Sequence, residues 1–312
     1  MNEITLSYVM STKNKLPFLT YGLNRLVNNL QSDEEIVIID AGSTDGTVDY
    51  LENLYQKGKI HQFITEPDFG EGHGFNKGVL LARGRLIKVV SDDDFFNYPA
   101  IQESKKVMLA NKNIDVMIGN VYGTYIDDFD KIYCEDHVEE DFKNYLENEE
   151  PFPFTGLSLM IRKDSIALTG LFYATIICVD TEFALRITEI GVQIGWSSAP
   201  IAIRIGNPKS KLENMNKKNV EIEMDKFLYF YDSKYRNRKN TLVFIILRKA
   251  KSMLRYFVNL INWSSSSHSK HSDYNDGKKI YCSTEYVIKI NDKCKKYISE
   301  INEEIKFILP KT

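Results

Sequence analysis

Three consecutive carboxylates, Asp92-Asp93-Asp94, directly follow the apolar segment Leu86–Val90. Crowded like charges repel one another unless a cation lies among them, and oxygen ligands suit Mg²⁺ or Mn²⁺. Divalent cations held in this way usually also bind substrate phosphates. A second interpretation is a solvated turn in which one aspartate caps the next helix. Taken alone, these residues favour neither interpretation.

A further carboxylate, Asp40, ends a β-branched segment and is followed by the glycine-bounded turn Gly42–Gly46. In open parallel sheets, a carboxylate at this place accepts hydrogen bonds from the ribose or base of a nucleotide. A tight turn in which Ser43 or Thr44 caps the following helix explains the same residues. Because the G-K-[ST] of a Walker loop is missing, the turn does not predict a P-loop.

Two later segments also carry residues suited to chemistry. The glycine-rich stretch Gly70–Gly74 allows close backbone approach to a ligand, and Lys77, just after Asn76, could neutralise phosphate. His73 is expected to pack or hydrogen-bond locally, since no other histidine lies at a metal-ligand spacing. Asp180 begins a helical pattern, where it fits either an N-cap or a general base that accepts a proton from a sugar hydroxyl.

The segments that position these residues alternate between short strands and helices, which predicts parallel βαβ units with ligands at the carboxyl ends of the strands. The predicted strands cover residues 4–10, 35–40, 59–65, 86–90, 115–120, 157–162 and 201–205. The predicted helices cover residues 19–30, 47–55, 74–82, 98–111 and 181–191, and residues 127–150 are expected to be irregular. The fold class predicted from this order is α/β, with a mostly parallel, Rossmann-like sheet flanked by helices.

The charge distribution predicts two parts. Residues 1–208 carry 18 basic and 31 acidic side chains, whereas residues 209–312 carry 22 basic and 12 acidic ones. We place the boundary at Asn207-Pro208, which gives a catalytic domain over residues 1–206 and a basic helical appendage over 207–312. The longest apolar run has six residues, Leu242–Leu247, so no membrane-spanning helix is expected. Four scattered cysteines without a C-x-x-C pair predict neither a zinc site nor disulfides, and favour the cytoplasm.

The appendage contains a basic amphipathic pattern. Apolar residues recur with helical spacing from Val243 to Ile261, and no acidic residue occurs between Asp232 and Asp273. Such a helix could lie on an anionic membrane at the inner face of the plasma membrane, or pack against the catalytic domain or a partner subunit. Nucleic-acid binding is not expected, because the other part is acidic and no recognition motif is visible. The isoleucine-rich last helix, from about Ser283, could also pair with a second copy of the chain.

Several motifs in order resemble those of family 2 glycosyltransferases with the GT-A fold. Residues 40–47, D-A-G-S-T-D-G-T, are similar to the family's D-D-G-S-T-D-G-T. Residues 66–70, 76–78 and 82–84 are similar to its E-x-D-x-G, N-K-G and A-x-G. Asp92-Asp93-Asp94 stands where the family has its D-x-D metal motif, and Val179-Asp180 where it has E-D. The agreement covers roughly residues 4–205.

The resemblance implies transfer of a sugar, with inversion, from a nucleotide diphosphate sugar such as a UDP-sugar to a hydroxyl of a glycan or lipid-linked glycan in surface polysaccharide synthesis. It implies Mn²⁺ or Mg²⁺ at Asp93 and Asp94, and Asp180 as the base. The donor contacts that it implies are Thr12, Asp40, Asp68, Asn76, Lys77 and Asp92. A cation there would stabilise charge on the leaving diphosphate.

Three departures from the family pattern keep other functions open. Ala41 replaces the second aspartate of the signature, and Val179 replaces the glutamate of E-D. Ser91 stands in place of the first metal-motif aspartate, which leaves the metal ligand open among Asp92, Asp93 and Asp94. The alternatives are a non-catalytic nucleotide-sugar or glycan-binding module of the same fold, and a sugar nucleotidyltransferase. The nucleotidyltransferase is disfavoured by the missing glycine-rich basic loop after the first strand.

Overall fold

The computed structural model describes residues 3–126, 128, 131–134, 138–207, 215–239, 284–301 and 304–310. The strands in these residues are β1 (Leu6–Thr12), β2 (Glu34–Asp40), β3 (Gln62–Thr65), β4 (Leu86–Val90), β5 (Phe95–Phe96), β6 (Val116–Tyr125), β7 (Tyr133–Cys134), β8 (Met160–Arg162), β9 (Ile194–Gly206) and β10 (Phe307–Ile308). The helices are α1 (Leu16–Asn29), α2 (Thr47–Gln56), α3 (Glu71–Leu81), α4 (Tyr98–Ala110), α5 (Val138–Asn148), α6 (Ile166–Thr169), α7 (Val179–Glu189), α8 (Lys217–Tyr231), α9 (Ser233–Lys239) and α10 (Thr284–Glu300).

The strands form one mixed sheet in the order β10-β9-β6-β8-β4-β1-β2-β3. The half that contains β4, β1, β2 and β3 is parallel throughout, as the βαβ pattern predicts. Strands β2 and β4 are buried along their whole length, which explains why residues 36–39 of β2 and every residue of β4 except Lys88 are apolar. Because these strands are parallel, Thr12, Asp40 and the residues after Val90 all reach the same edge of the sheet.

Hydrophobic cores cover both faces of the sheet. Alternate residues of β1 divide between them, with Leu6, Tyr8 and Met10 in one core and Val9 in the other. The first core includes buried residues of α1 and α4, and the second includes Val79 of α3 and residues of α7 such as Phe183. The sheet is therefore held between helical layers, and its carboxyl edge is left for the loops.

The described C-terminal residues complete this domain. Val287, Ile290 and Cys294 of α10 are buried against Phe18 of α1 and Phe95 of β5, and β10 pairs antiparallel with β9 at the edge of the sheet. The basic amphipathic pattern, residues 243–261, lies outside the described residues. Within the part of the chain that the structure describes, no helix is long and apolar enough to cross a membrane.

Several segments differ from the sequence expectation. The strand predicted over 157–162 is the 3₁₀ turn Gly156–Ser158 followed by the short strand β8. The stretch predicted to be irregular contains α5, which buries Val138 and Phe142 and has three acidic residues in its first turn, where they interact favourably with the helix dipole. The short strand predicted at 201–205 is the second half of the longer β9, Ile194–Gly206. Helix α3 begins at Glu71 rather than Gly74, because the glycines allow tight packing: a Cβ on Gly72 would lie 2.6 Å from the Tyr173 carbonyl oxygen.

Candidate active site

A cleft of about 940 Å³ opens at the carboxyl edge of the parallel strands. Its lining includes the ends of β1 and β4, the start of α7, and Met215, Val220 and Met224 from and just before α8. Six of the residues singled out from the sequence line it together, namely Thr12, Asp68, Asp92, Asp93, Asp94 and Asp180. The fold thus brings the acidic cluster and Asp180 to one cleft, although Asp94 and Asp180 are 86 positions apart in the sequence.

Asp92 and Asp94 are each fixed by hydrogen bonds. The Thr12 hydroxyl donates to Asp92 Oδ2 at 2.6 Å. The Ser91 hydroxyl donates to Asp94 Oδ2 at 2.6 Å, and the Ile205 N–H donates to Asp94 Oδ1 at 2.7 Å. Burial, with repulsion from Asp93 as the next cause, raises the pKa of Asp92 to about 7 and that of Asp94 to about 8. Both shifts have the same causes, which are burial of the carboxyl groups and, second, the crowding of negative charge at the end of β4.

Asp93 is the carboxylate of the cluster that pairs with a cationic side chain. The Lys15 ammonium forms an ion pair with Asp93 Oδ2, and the Asn207 amide donates to the same oxygen at 3.0 Å. Burial acts to lower the pKa of Lys15, but the nearby Asp93 and Asp92 carboxylates outweigh it and the pKa is raised. The side chains of Lys15 and Asp93 are only 12% and 13% exposed, so this pair is weakly screened by solvent.

The donor chemistry of the cluster fits a hard divalent cation, because it offers carboxylate and hydroxyl oxygens. The Lys15 ammonium on Asp93 demonstrates that positive charge is stabilised at this place. As the side chains stand, no three His, Cys, Asp or Glu residues of the described ranges converge as metal ligands. A cation bound at Asp93 would therefore need the ammonium to move aside and a neighbouring carboxylate to turn.

Asp180 is the second residue of α7 and its carboxylate is held at both oxygens. The Gly156 N–H donates to Oδ2 at 3.1 Å, and the Thr181 N–H donates to Oδ1 at 2.8 Å. Gly156 begins a 3₁₀ turn, Gly156–Ser158, and a Cβ at Gly156 would lie 3.3 Å from the Cβ of Asp180. The turn can thus approach Asp180 closely because it begins with glycine.

Helix α8 fastens the segment that leads into Asp180. The Glu223 carboxylate accepts hydrogen bonds from the N–H groups of Ile177 and Cys178, at 2.8 and 3.1 Å. These donors lie at the start of α7, where backbone N–H groups have no intrahelical partner and negative charge is favoured. A residue of the predicted appendage therefore helps to build the cleft.

Asp40 has a place next to the cleft rather than in its lining. Its Oδ2 accepts hydrogen bonds from the N–H groups of Gly42 and Ser43 and from the Thr65 hydroxyl, at 2.7 to 3.0 Å. These hydrogen bonds fix the turn after β2. The helix cap expected of Ser43 or Thr44 is wrong, because the N-cap of α2 is Gly46, without a side-chain cap hydrogen bond, and the Ser43 hydroxyl instead accepts from the Asn14 N–H at 2.8 Å. Its Oδ1 is buried without a hydrogen-bond partner in the described residues, and Ala41, the next residue, lines the cleft.

Asn76 and Lys77 lie outside the residues that line the cleft. The Asn76 amide donates to the Phe172 carbonyl at 2.7 Å, and its Oδ1 accepts from the Phe172 N–H at 2.9 Å. Lys77 forms an ion pair with Glu66 at 2.7 Å. These contacts tie α3 to the chain that leads to α7, and the donor contacts expected of both residues stay predictions.

The A-x-G motif lies at the opposite edge of the sheet. Arg83 forms an ion pair with the buried Glu35 at 2.6 Å, and a Cβ on Gly84 would lie 2.6 Å from the Ser7 nitrogen. Because β4 begins two residues later, this packing fixes where the strand that carries the acidic cluster starts.

Sequence reasoning missed Lys13, Lys15 and Arg204, which line the cleft, and Glu223. The two lysines directly follow β1. The rule that ligands bind at the carboxyl ends of parallel strands could therefore have identified them. Arg204 and Glu223 come from β9 and α8, elements whose positions depend on the tertiary fold, and no local pattern marks them.

Comparison with known proteins identifies the family. A family model described as glycosyl transferase family 2 matches residues 7–168. An uncharacterized glycosyltransferase of Haemophilus influenzae is 29% identical over 112 residues, 36% of this chain and 45% of that protein. An uncharacterized glycosyltransferase of Nostoc sp. is 30% identical over 114 residues, 36% of this chain and 35% of that protein. The chain thus matches less than half the length of either relative.

The similarity of this chain to a solved structure confirms the GT-A fold expected from the motifs. The structure of S. aureus TarS superimposes with a TM-score of 0.54 and 14% identity, over 75% of this chain and 69% of that one. The family match covers more than half of the chain, from β1 through the acidic cluster to β8. The chain therefore belongs to glycosyl transferase family 2 and has the GT-A fold.

Proposed function

We propose that the chain is an inverting, metal-dependent glycosyltransferase that uses a nucleotide diphosphate sugar, most simply a UDP-sugar. The observation that carries this proposal is the single cleft that holds Asp92, Asp93 and Asp94 together with Asp180. Charge stabilisation and proton transfer are the two kinds of assistance that displacement of a diphosphate by a hydroxyl needs.

In this proposal the nucleoside lies beside the turn after β2. The buried Oδ1 of Asp40 is an acceptor without a partner in the described residues, and the N–H of a base such as uracil would satisfy it. Thr12, Asp68 and Asp92 line the adjoining part of the cleft. TarS was solved in complex with UDP-GlcNAc, which makes UDP the first nucleotide to test.

The cation of this proposal is Mn²⁺ or Mg²⁺, held by Asp93 and Asp94. When bound, it would stabilise the negative charge that develops on the leaving diphosphate. Lys15, once displaced from Asp93, lies within the same cleft as Lys13 and Arg204, so these three cationic side chains can neutralise phosphate oxygens. Asp92, fixed by Thr12, keeps the remaining negative charge close to the cation.

Asp180 acts as the general base. It accepts the proton of the acceptor hydroxyl while the hydroxyl oxygen forms a bond to the anomeric carbon. The bond from that carbon to the diphosphate oxygen breaks, and its electron pair leaves with the nucleoside diphosphate. The Gly156 and Thr181 N–H groups hold the Asp180 carboxylate in a fixed orientation, which limits the reorganisation that proton transfer would otherwise require.

The acceptor in this proposal is a hydroxyl of a glycan or lipid-linked glycan, used in building a surface polysaccharide. Peripheral attachment to an anionic membrane through residues 243–261 is part of the same proposal, because apolar residues recur there with helical spacing among lysines and arginines, which suits such a surface. Co-sedimentation with vesicles of phosphatidylglycerol, compared with neutral phosphatidylcholine vesicles, tests it. Equal binding to both would contradict the attachment.

The experiment that tests the proposed function compares Asp180→Asn with Asp49→Asn, a control on the exposed side of α2. Release of UDP from a panel of UDP-sugars, with water in place of the acceptor, measures turnover, and calorimetry measures UDP binding with and without Mn²⁺. We expect Asp180→Asn to lower turnover by about 100-fold or more and to leave the affinity for UDP unchanged. Asp93→Ala should abolish the Mn²⁺-dependent part of UDP binding.

Other results of the UDP release and UDP binding experiments would change the proposed function or the nucleotide tested. If the wild-type protein binds UDP but releases none from any UDP-sugar, the non-catalytic binding module becomes the better description. If it does not bind UDP, GDP and dTDP are tested next. Absence of binding to all three nucleotides would refute the donor site.

A further inference from the structure

Lys88 is a buried lysine at the centre of the sheet that the proposed reaction does not use. It lies in β4, opposite Tyr8 of β1 on one side and Met160 of β8 on the other, and it is 0% exposed. No carboxylate lies within ion-pair distance of it in the residues that the structure describes. Burying an amine in this way destabilises the fold unless its donors are satisfied.

The donors of Lys88 reach one short segment. Its Nζ donates to the carbonyl oxygen of Leu157 at 2.5 Å and to that of Leu159 at 3.2 Å, and it lies 5.4 Å from the centre of the Phe96 ring. Leu157 is the middle residue of the 3₁₀ turn Gly156–Ser158, and Leu159 is the residue that follows the turn. Burial lowers the pKa of Lys88 to about 7, and the amine can donate to both carbonyls whether or not it is charged.

The same turn contacts Asp180 at its other end. The Gly156 N–H donates to Asp180 Oδ2, and a side chain at Gly156 would press against the Asp180 Cβ. A single turn of 3₁₀ helix has few internal hydrogen bonds of its own. Its position therefore depends on outside contacts, and Lys88 supplies two of them.

We propose that Lys88 is a positioning residue, which anchors the 156–159 segment so that the Gly156 N–H holds the Asp180 carboxylate in its working orientation. Lys88 contacts neither the cleft nor, in this proposal, the substrate. The inference rests on the proposed role of Asp180 as base. A methionine in the same place would fill similar volume without the cost of burying an amine, so fold stability alone does not explain a lysine here.

The test compares Lys88→Met with Lys163→Met. Lys163 also donates to a backbone carbonyl, that of Ala82 at 2.5 Å, but it does not line the cleft or contact Asp180. We expect Lys88→Met to lower kcat for UDP release by about 10- to 100-fold, the usual effect of a displacement near 1 Å, with an unchanged KM for the UDP-sugar. Lys163→Met should leave both unchanged.

Two further readouts separate positioning from a general loss of stability. Hydrogen exchange of the backbone amides of residues 155–159 should quicken in Lys88→Met and not in Lys163→Met. On an Asp180→Asn background, Lys88→Met should cause no additional loss of kcat, because it acts through Asp180. An unchanged kcat in Lys88→Met, unchanged exchange at 155–159, or a full additional loss on the Asp180→Asn background would each overturn the proposal.

Failure of the proposed function gives a different result. If Asp180→Asn retains wild-type turnover, Asp180 is not the base and the role of Lys88 as its positioning residue fails with it, whatever the exchange data show. If Asp180→Asn is inactive and Lys88→Met is fully active, only the Lys88 proposal fails. Should Lys88→Met not fold, Lys88→Gln replaces it, since its amide keeps a donor and should give smaller changes of the same kind.

Discussion

The buried amine of Lys88 should make the free energy of unfolding depend on pH. Its pKa falls from 10.5 in the unfolded chain to about 7 in the native protein, because burial disfavours the charged form. Below about pH 7, Lys88 is protonated in both states and gives no dependence. Between the two values, the unfolded chain binds a proton that the native protein lacks, so the native state gains stability as the pH rises.

The size of this effect follows from the two pKa values. One pH unit corresponds to about 1.4 kcal/mol for one proton, so the complete window amounts to about 5 kcal/mol. Lys88→Met has no group that titrates at this position. We therefore expect wild type to gain stability relative to Lys88→Met by about 2 kcal/mol between about pH 7.5 and pH 9, and by almost nothing between pH 5.5 and 6.5.

Urea unfolding of both proteins at these pH values measures the difference, and Lys163→Met serves as the control. All other titrating groups are common to wild type and Lys88→Met, so they cancel when the free energies of unfolding of these two proteins are subtracted. Wild type and Lys88→Met curves that stay parallel from about pH 6 to 9 would refute the assignment of a neutral, buried amine. A difference that falls as the pH rises would contradict its sign.

Two further substitutions test contacts around the cleft. Asn76→Ala should lower the free energy of unfolding by about 1–3 kcal/mol, because both polar groups of the Phe172 backbone lose their side-chain partner. Urea unfolding measures this loss, and Asn53→Ala, at an exposed site on α2, is the control. Equal losses in the two variants would contradict the prediction. Glu223→Gln should quicken hydrogen exchange at Ile177 and Cys178, since it removes the charge that accepts both N–H groups. Glu221→Gln, at an exposed site on the same helix, should leave this exchange unchanged. Identical exchange in both variants would show that Glu223 does not hold the segment that leads into Asp180.

Much of the parallel half of the sheet could be predicted from local sequence. Residues 86–90 match β4 in full, and β2 begins one residue before its predicted start. These strands are buried on both faces, which explains the apolar run 36–39 in β2 and the apolar residues on either side of Lys88 in β4. Charged residues or glycine mark their ends. The turn after Asp40 could also be predicted from its glycines. The cap expected of Ser43 or Thr44 was wrong, because both residues are hydrogen-bonded to Asn14, which is distant in sequence.

The prediction was weaker where tertiary contacts decide the structure. Helix α5 lies in a stretch whose composition is polar, and what stabilises it is the burial of Val138 and Phe142 against the second core. Helix α3 begins within a glycine-rich stretch because Gly72 and Gly74 pack against other backbone and side chains, which outweighs the poor helix propensity of glycine. Neither contact can be inferred from the residues of the segment itself.

The residues of the family motifs have two different roles, one in lining the cleft and one in fixing the start of β4. Asp92, Asp93, Asp94 and Asp180 line the cleft, whereas Arg83 and Gly84 fix the start of β4 at the other edge of the sheet. β4 is five residues long and almost inextensible, so fixing its first residue also fixes where the acidic cluster emerges. Lys88 adds a lateral contact from the middle of that strand to the turn beside Asp180. One buried strand thereby sets both the depth of the acidic cluster and the position of the turn that holds Asp180, and this coupling explains how two sites so distant in sequence can be kept at a constant separation.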